Sequence, residues 1–92
     1  MKKHPDHSEQ LKRIARARGQ LDGVSRMIDE GRYCVDILTQ LRAARSALRA
    51  VEDAVLKTHV QHCVKDALEG GDEADARARI DELTDVLTRY SR

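Results

Sequence analysis

The sequence predicts an all-α protein with three helices per protomer. Residues 32–69 contain neither Gly nor Pro, and Leu, Val, Ile and Ala recur there at every third or fourth position. This is the pattern of one long amphipathic helix. Apolar residues also recur at helical spacing on both sides of this stretch, and no segment shows the alternation typical of a β-strand. Three helices therefore account for nearly the whole chain.

Composition limits the chain to one small domain. Its 92 residues are 40% hydrophobic and 36% charged, and they include no Phe or Trp. Leu, Ile, Val and Ala must build the core, and a core of this size is marginal on its own. We expect a single domain spanning residues 1–92. The sequence has no signal peptide and no apolar stretch long enough to cross a membrane, so we expect a cytoplasmic protein without a membrane partner.

The first predicted helix runs from Ser8 to about residue 30. Residues 1–7 precede it as a flexible polar arm, in which His4 and His7 are better explained as solvated side chains than as metal ligands. Ser8 is the predicted N-cap, and Gly31 is the predicted stop. The apolar face of this helix consists of Leu11, Ile14, Leu21, Val24 and Ile28.

The second predicted helix, residues 32–69, is too long for a compact monomer. At about 1.5 Å per residue it would extend roughly 57 Å, whereas a compact chain of this length has a radius of gyration of about 12 Å. We therefore expect an oligomer. Gly70 and Gly71 form the following turn, and Asp72 is the predicted N-cap of a short third helix. The apolar positions of that helix are Ala76, Ile80, Leu83, Leu87 and Tyr90.

Three side chains that can bind metal lie on one stripe of the second helix. At about 100° per residue, Cys34 is within about 20° of both His59 and Cys63. Cys34 and His59 would be about 37 Å apart along the axis, so one metal ion cannot bind both in a single straight helix. Two antiparallel copies solve this problem, because Cys34 of one copy then lies beside His59 and Cys63 of the other. A two-fold axis between Leu48 and Arg49 creates two identical sites.

The register that these sites impose also matches the rest of the stripe. It pairs charged residues of opposite sign, which avoids an unpaired charge at the interface. The pairs are Cys34 with Cys63, Leu38 with His59, Leu41 with Leu56, and Arg45 with Glu52.

Two thiolates and one imidazole form a soft set of three ligands that suits Cu(I). A trigonal Cu(I) site needs nothing more, whereas structural Zn(II) would need a fourth ligand. At the start of a helix, the Cys34 thiolate is favoured by the exposed amides and the macrodipole. A cysteine-dependent hydrolase and a purely structural bundle are the alternatives. A hydrolase would need a Gly-rich active-site turn, which the sequence lacks, so we do not expect an enzyme. A structural bundle would not explain why three metal-binding side chains lie on one stripe of the helix.

Positive charge is concentrated at the front of the chain, although the net charge is only +1. Residues 1–32 carry eight Lys or Arg against five acidic residues, and residues 64–92 carry five against eight. Such runs are usually solvated helix faces, but a tetramer would repeat the patch four times and contact many phosphates. No helix-turn-helix, zinc-finger or zipper signature accompanies them. The clustered basic residues are Lys12, Arg13, Arg16, Arg18, Arg42, Arg45 and Arg49.

Three separated motifs resemble the copper-sensitive operon repressor (CsoR) family. They are residues 18–23 (Arg-Gly-Gln-Leu-Asp-Gly), residues 32–38 (Arg-Tyr-Cys-Val-Asp-Ile-Leu), and the His59-x-x-x-Cys63 pair followed by Val64. The resemblance covers nearly the whole chain. It implies an all-helical dimer of dimers, a homotetramer that binds operator DNA when metal-free and releases it when Cu(I) binds across the dimer interface. Copper resistance and efflux genes would then be derepressed.

The resemblance also implies roles for individual residues. It makes Cys34, His59 and Cys63 the Cu(I) ligands. Tyr33 and Glu82 match positions that hold the ligating imidazole, which commonly donates its other N–H to an oxygen. The expected DNA-binding residues are Lys12, Arg13, Arg16, Arg18 and Arg49. The resemblance supports Arg13 and Arg18, and charge supports the others.

Other sensors of the same superfamily provide the alternatives. Nickel and cobalt sensors use an additional His near the N-terminus, where this chain has Lys2 with His4 nearby. Persulfide sensors keep both cysteines without the His, and formaldehyde sensors lack the second Cys. His59 and Cys63 therefore favour Cu(I), and a repressor responding to Ni(II), Co(II) or persulfide is the alternative.

Overall fold

The computed structural model describes residues 5–90 and is all-α within this range. A 3₁₀ turn, Ser8–Gln10, leads into α1 (Leu11–Asp29), followed by α2 (Cys34–Glu69) and α3 (Glu73–Tyr90). No strand occurs between residues 5 and 90, so the prediction of three helices and an all-α fold is confirmed. None of these helices combines the length and the apolarity needed to cross a bilayer. His4 lies outside the described residues, and His7 is half-buried just before the 3₁₀ turn.

Asp6, which precedes the N-cap residue His7, supplies the side-chain hydrogen bonds at the start of the first helical segment. One carboxylate oxygen of Asp6 accepts a hydrogen bond from the Ser8 backbone N–H at 2.9 Å, and the other accepts one from the Ser8 hydroxyl at 3.1 Å. The first of these bonds is the main reason why the pKa of Asp6 is lowered. The N-cap residue itself is His7, so the predicted N-cap was wrong by one residue. Asp and Ser are comparable N-cap residues, and sequence alone does not decide between two of them so close together.

Gly31 ends α1 as predicted, by a Schellman motif. Its φ is +67°, a left-handed conformation that favours glycine. The Gly31 N–H donates to the Ile28 carbonyl at 3.1 Å, and the Arg32 N–H donates to the Met27 carbonyl at 2.9 Å. These two bonds satisfy carbonyl groups that the helix end would otherwise leave unpaired.

Helix α2 begins two residues later than predicted, and its first residue is Cys34. The carbonyl of Tyr33 accepts hydrogen bonds from the N–H groups of Asp36 and Ile37 at 3.0 and 3.2 Å. Tyr33 is therefore the last residue before the helix rather than a part of it. From Cys34, α2 continues without a break for 36 residues to Glu69.

Asp72 caps α3, as predicted. Its carboxylate accepts a hydrogen bond from the Asp75 N–H at 2.8 Å, and its carbonyl accepts one from the Ala76 N–H at 3.1 Å. Gly71 precedes it with φ +59°. This cap fixes where α3 starts and so determines which side chains of α3 face the end of α2.

The described chain divides into two compact units. Asp6–Val55 form one unit, and residues 56–90 belong to the other. Within residues 5–90, the buried apolar residues are Ala17, Val24 and Ala44 in the first unit and Cys63 in the second. Because α2 contributes to both units, the expectation of one domain stays a prediction. So small a buried core leaves many large apolar side chains exposed, among them Leu11, Ile28, Leu38, Leu41, Leu48, Leu68 and Ile80.

Candidate metal centre

Cys63 and His59 lie one turn apart on α2 and on the same face of the helix. Cys63 is only 8% exposed. Its thiol donates a hydrogen bond to the Arg79 carbonyl on α3 at 3.4 Å. The thiol is thus enclosed between the two helices, with a single weak partner.

The imidazole of His59 points a buried nitrogen at α3. Its Nε2 atom is inaccessible to solvent and has no hydrogen-bond partner among residues 5–90. The nearest carboxylate oxygen, Oε1 of Glu82, is 3.6 Å away, which is longer than a hydrogen bond. A buried polar atom without a partner is unfavourable, so a small movement of either helix, or a ligand, would satisfy it. The structure therefore brings Glu82 to His59, but its role toward a metal stays a prediction.

An ion-pair network beside Cys63 holds α3 against the end of α2. Arg79 donates to Asp75 at 3.0 Å and to Asp66 at 3.2 Å, and His62 lies 3.5 Å from the same Asp66 carboxylate. The hydrogen bond to Asp75, together with the negative charges of Asp75 and Asp66, raises the pKa of Arg79. The network holds Arg79 in place, and the carbonyl of Arg79 accepts the hydrogen bond from the Cys63 thiol.

This network was missed by sequence reasoning. The four-residue spacing of Asp75 and Arg79 indicates an ion pair within one helix. The contact between Asp66 and Arg79 joins two helices and has no signal in the sequence.

The structure places Cys34 and Tyr33 in the other unit, at the start of α2. The Cys34 side chain is exposed, and Tyr33 is 68% exposed. Across residues 5–90, the single chain assembles no group of three or more His, Cys, Asp or Glu side chains able to hold a metal ion. The set of three ligands and the role of Tyr33 therefore stay predictions.

The donors present fit a soft metal ion better than a hard one. A thiol and an imidazole nitrogen are soft or intermediate ligands, whereas Mg²⁺ and Ca²⁺ require several oxygens. Burial of Cys63 also gives a site that is shielded from water on one side.

The basic residues expected to bind DNA are exposed. Arg13 donates to Gln10 at 2.8 Å, and Arg49 is 3.9 Å from Asp53, so these two side chains have weak local partners. The four on α1 are Lys12, Arg13, Arg16 and Arg18. Their exposure leaves these cations accessible to a polyanion.

Comparison with known proteins identifies the family. The sequence model of the family described as "Metal-sensitive transcriptional repressor" matches residues 6–89. The chain belongs to this repressor family. Among relatives, the "Copper-sensing transcriptional repressor RicR" of Mycobacterium tuberculosis is 49% identical over 67 residues, covering 72% of this chain and 70% of that protein. The "Copper-sensing transcriptional repressor CsoR" of Bacillus subtilis is 40% identical over 80 residues, covering 87% of this chain and 76% of that protein.

The helical fold is also that of a solved member of this repressor family. The crystal structure of the copper-sensing repressor CsoR with Cu(I) from Geobacillus thermodenitrificans NG80-2 matches with a TM-score of 0.77 and 34% sequence identity. The match covers 100% of this chain and 95% of that one. The predicted resemblance to the CsoR family is therefore confirmed.

Proposed function

We propose that this protein is a Cu(I)-responsive transcriptional repressor, which binds operator DNA without metal and dissociates when Cu(I) binds. The observation that carries the proposal is the pair formed by the buried Cys63 thiol and the His59 imidazole, one turn apart on α2. The copper-sensing relatives and the Cu(I)-bound structural neighbour support the choice of metal. Derepression of copper resistance genes in the cytoplasm would follow.

The Cu(I) site is proposed to form between two chains. Cys34 of one protomer would join His59 and Cys63 of its partner, giving two thiolates and one imidazole. Bound Cu(I) would supply a soft cation that holds these three ligands together. One chain alone offers no complete group of ligands within residues 5–90, which supports a shared site.

Exposed apolar surface supports the dimer. In the unit Asp6–Val55, a cavity of about 500 Å³ opens between α1 and the first part of α2. Its apolar lining is only partly covered within one chain, which is the condition in which a second copy stabilises a helix face. The apolar lining residues are Leu21, Leu38, Leu41, Ala44 and Leu48. Antiparallel pairing of α2 would cover them, and two dimers would form the proposed homotetramer.

Regulation requires that Cu(I) and DNA favour different conformations. Cu(I) releases DNA only if it binds the DNA-free conformation more tightly, and DNA must weaken Cu(I) binding by the same factor. His59 is suited to this coupling because one ring nitrogen can bind the metal while the other reaches Glu82. Metal binding would thus connect α2 to α3.

DNA contact is proposed for the exposed cations of α1 and for Arg49 of α2. These side chains would neutralise phosphates, so operator affinity should fall steeply with salt. The set comprises Lys12, Arg13, Arg16, Arg18 and Arg49.

Mixed dimers test the shared site. A Cys34→Ala protomer combined with a Cys63→Ser protomer has one complete set of ligands in two, whereas each variant alone has none. We expect the mixed dimer to bind Cu(I) tightly at half the stoichiometry of the parent, and each single-variant dimer to bind weakly. Ser is chosen at position 63 because its hydroxyl can still donate to the Arg79 carbonyl. Absence of a tight site in the mixed dimer, after mixing has been verified, would refute ligands shared between chains.

A further inference from the structure

A basic groove lies on the unit Asp6–Val55. It has a volume of about 470 Å³ and is formed by α1, the loop after it and the first part of α2. Three arginines and one glutamate line it, so its formal charge is +2, from three positive charges and one negative. The charged lining residues are Arg16, Arg26, Arg32 and Glu30.

Two glycines of the groove make no close packing contact within the described single chain. Gly19 and Gly23 lie inside the helix with ordinary backbone angles. A Cβ atom at Gly19 would meet nothing within 4 Å, and one at Gly23 would meet only Arg26 Nη2 at 3.9 Å. Glycine inside a helix is destabilising compared with alanine. Packing within residues 5–90 does not require glycine at these positions, and the glycines leave bare backbone beside the arginines.

Gln20 adds a polar group to the same groove. Its Oε1 atom is inaccessible to solvent and has no hydrogen-bond partner in the described range 5–90. Because this oxygen is inaccessible, it makes no direct contact with a molecule in the groove, and Gln20 contributes only a polar wall beside the arginines.

We propose that this groove binds the phosphodiester backbone of DNA, with Arg16, Arg26 and Arg32 contacting phosphates and the glycines allowing close approach. Arg16 and Arg26 are ten residues apart on α1, or about 15 Å along the helix axis. A free phosphate would reach only one end of such a row, whereas a DNA strand presents phosphates along its whole length. The inference rests on the proposed function, because it assigns the surface that would bind the operator DNA.

Only some of the basic residues of α1 line the groove. Arg18 lies about 200° around the helix from Arg16, and it does not line the groove. Arg26 and Arg32, in contrast, lie outside the cluster of residues 12–18 but inside the groove. The proposal therefore adds two DNA contacts that charge clustering along the sequence does not indicate.

Arginine variants provide the first test, with operator binding measured across a series of salt concentrations. Arg26→Gln and Arg32→Gln each remove a charge that would neutralise one phosphate. Each should therefore weaken binding about fivefold at physiological salt and reduce the salt slope by about 0.9. Arg77→Gln is the matched control, because Arg77 is an exposed helical arginine that pairs with Glu73 in its own helix. The control should bind as the parent does.

Two further variants separate DNA contact from folding. Glu30→Gln removes the one negative charge that residues 5–90 contribute to the groove lining, 3.7 Å from Arg32, and should tighten DNA binding. Asp29→Asn, one residue away but outside the lining, should tighten it less. Gly19→Leu should raise the Tm, because Leu favours the helix and open space surrounds the position, yet it should weaken DNA binding.

The outcomes distinguish this inference from the proposed function. If the parent protein does not bind operator DNA, the proposed function fails. If the parent binds and Arg26→Gln, Arg32→Gln and Gly19→Leu all bind equally well, the groove is not a DNA surface, although the repressor function stands. If these variants change the oligomeric state of the protein without DNA, the groove is an interface between copies of the chain, and the inference is overturned.

Discussion

The contact between His59 and Glu82 gives a quantitative prediction about regulation. The two closest atoms are 3.6 Å apart, about 0.7 Å longer than a typical N–H···O hydrogen bond. A bond that forms only when metal binds contributes directly to the coupling between Cu(I) and DNA. A hydrogen bond to a charged group contributes roughly 1.5–3 kcal/mol. Because the Glu82 side chain is 64% exposed, we take the lower end, which corresponds to about tenfold in the coupling factor.

We therefore predict a graded effect of two substitutions at position 82. Glu82→Ala should reduce by about tenfold the factor by which Cu(I) weakens DNA binding, and Glu82→Gln, which keeps a neutral acceptor, by about threefold. Cu(I) affinity in the absence of DNA should change much less than the coupling factor. The assay measures operator affinity with and without Cu(I), and Cu(I) affinity with and without operator, since the two ratios must agree.

Asp81→Ala is the control for this prediction. Asp81 is an exposed carboxylate adjacent to Glu82 on α3, so it reports any general effect of removing a negative charge from this helix. If Glu82→Ala keeps the coupling factor of the parent, or if Asp81→Ala reduces it as much, the proposed connection between His59 and α3 is refuted.

Three other perturbations test separate parts of the account. Gly31→Ala should lower the free energy of unfolding by about 1 kcal/mol because of the positive φ at this position. Gly71→Ala should lower it more, because the added Cβ would lie 2.7 Å from Asp75 Oδ2. Thermal unfolding followed by circular dichroism compares the two variants. Asp6→Ala should lower the Tm at neutral pH, and the difference should vanish toward about pH 2. The reason is that the pKa of Asp6 is lowered in the folded protein, which stabilises the protein above the ordinary Asp pKa of about 3.9. This contribution is lost as the pH falls through the folded-state pKa. A difference that persists at low pH would contradict the capping role. His59→Ala should still bind Cu(I) through two thiolates but lose most of the DNA release; normal release would refute its coupling role.

Helix existence and most helix ends were predictable because they depend on local chemistry. Gly31 and Asp72 act at the ends of helices through hydrogen bonds within a few residues of chain, so their effect is visible in the sequence. The start of the first helical segment was less predictable, since Asp6 and Ser8 both have side chains that can cap a helix. The start of α2 was missed by two residues because Arg32 and Tyr33 carry no breaker.

Contacts between helices were predictable only where a resemblance supplied them. The approach of Glu82 to His59 came from the resemblance, not from periodicity. The Asp66–Arg79 contact and the gathering of Arg26 and Arg32 into one groove depend on how helices pack. No pattern of charge along the chain identifies them.

Anaerobic titration of the reduced, operator-bound protein with Cu(I), followed in parallel by metal binding and DNA release, tests the central claim most directly. Parallel titrations with Ni(II) and Zn(II) establish the selectivity. The account predicts that one Cu(I) per protomer binds and releases the DNA, that Cys34→Ala abolishes tight binding, and that the other two metals do not release DNA at equal occupancy. Release by Ni(II) with retention of DNA in the presence of bound Cu(I) would contradict the account.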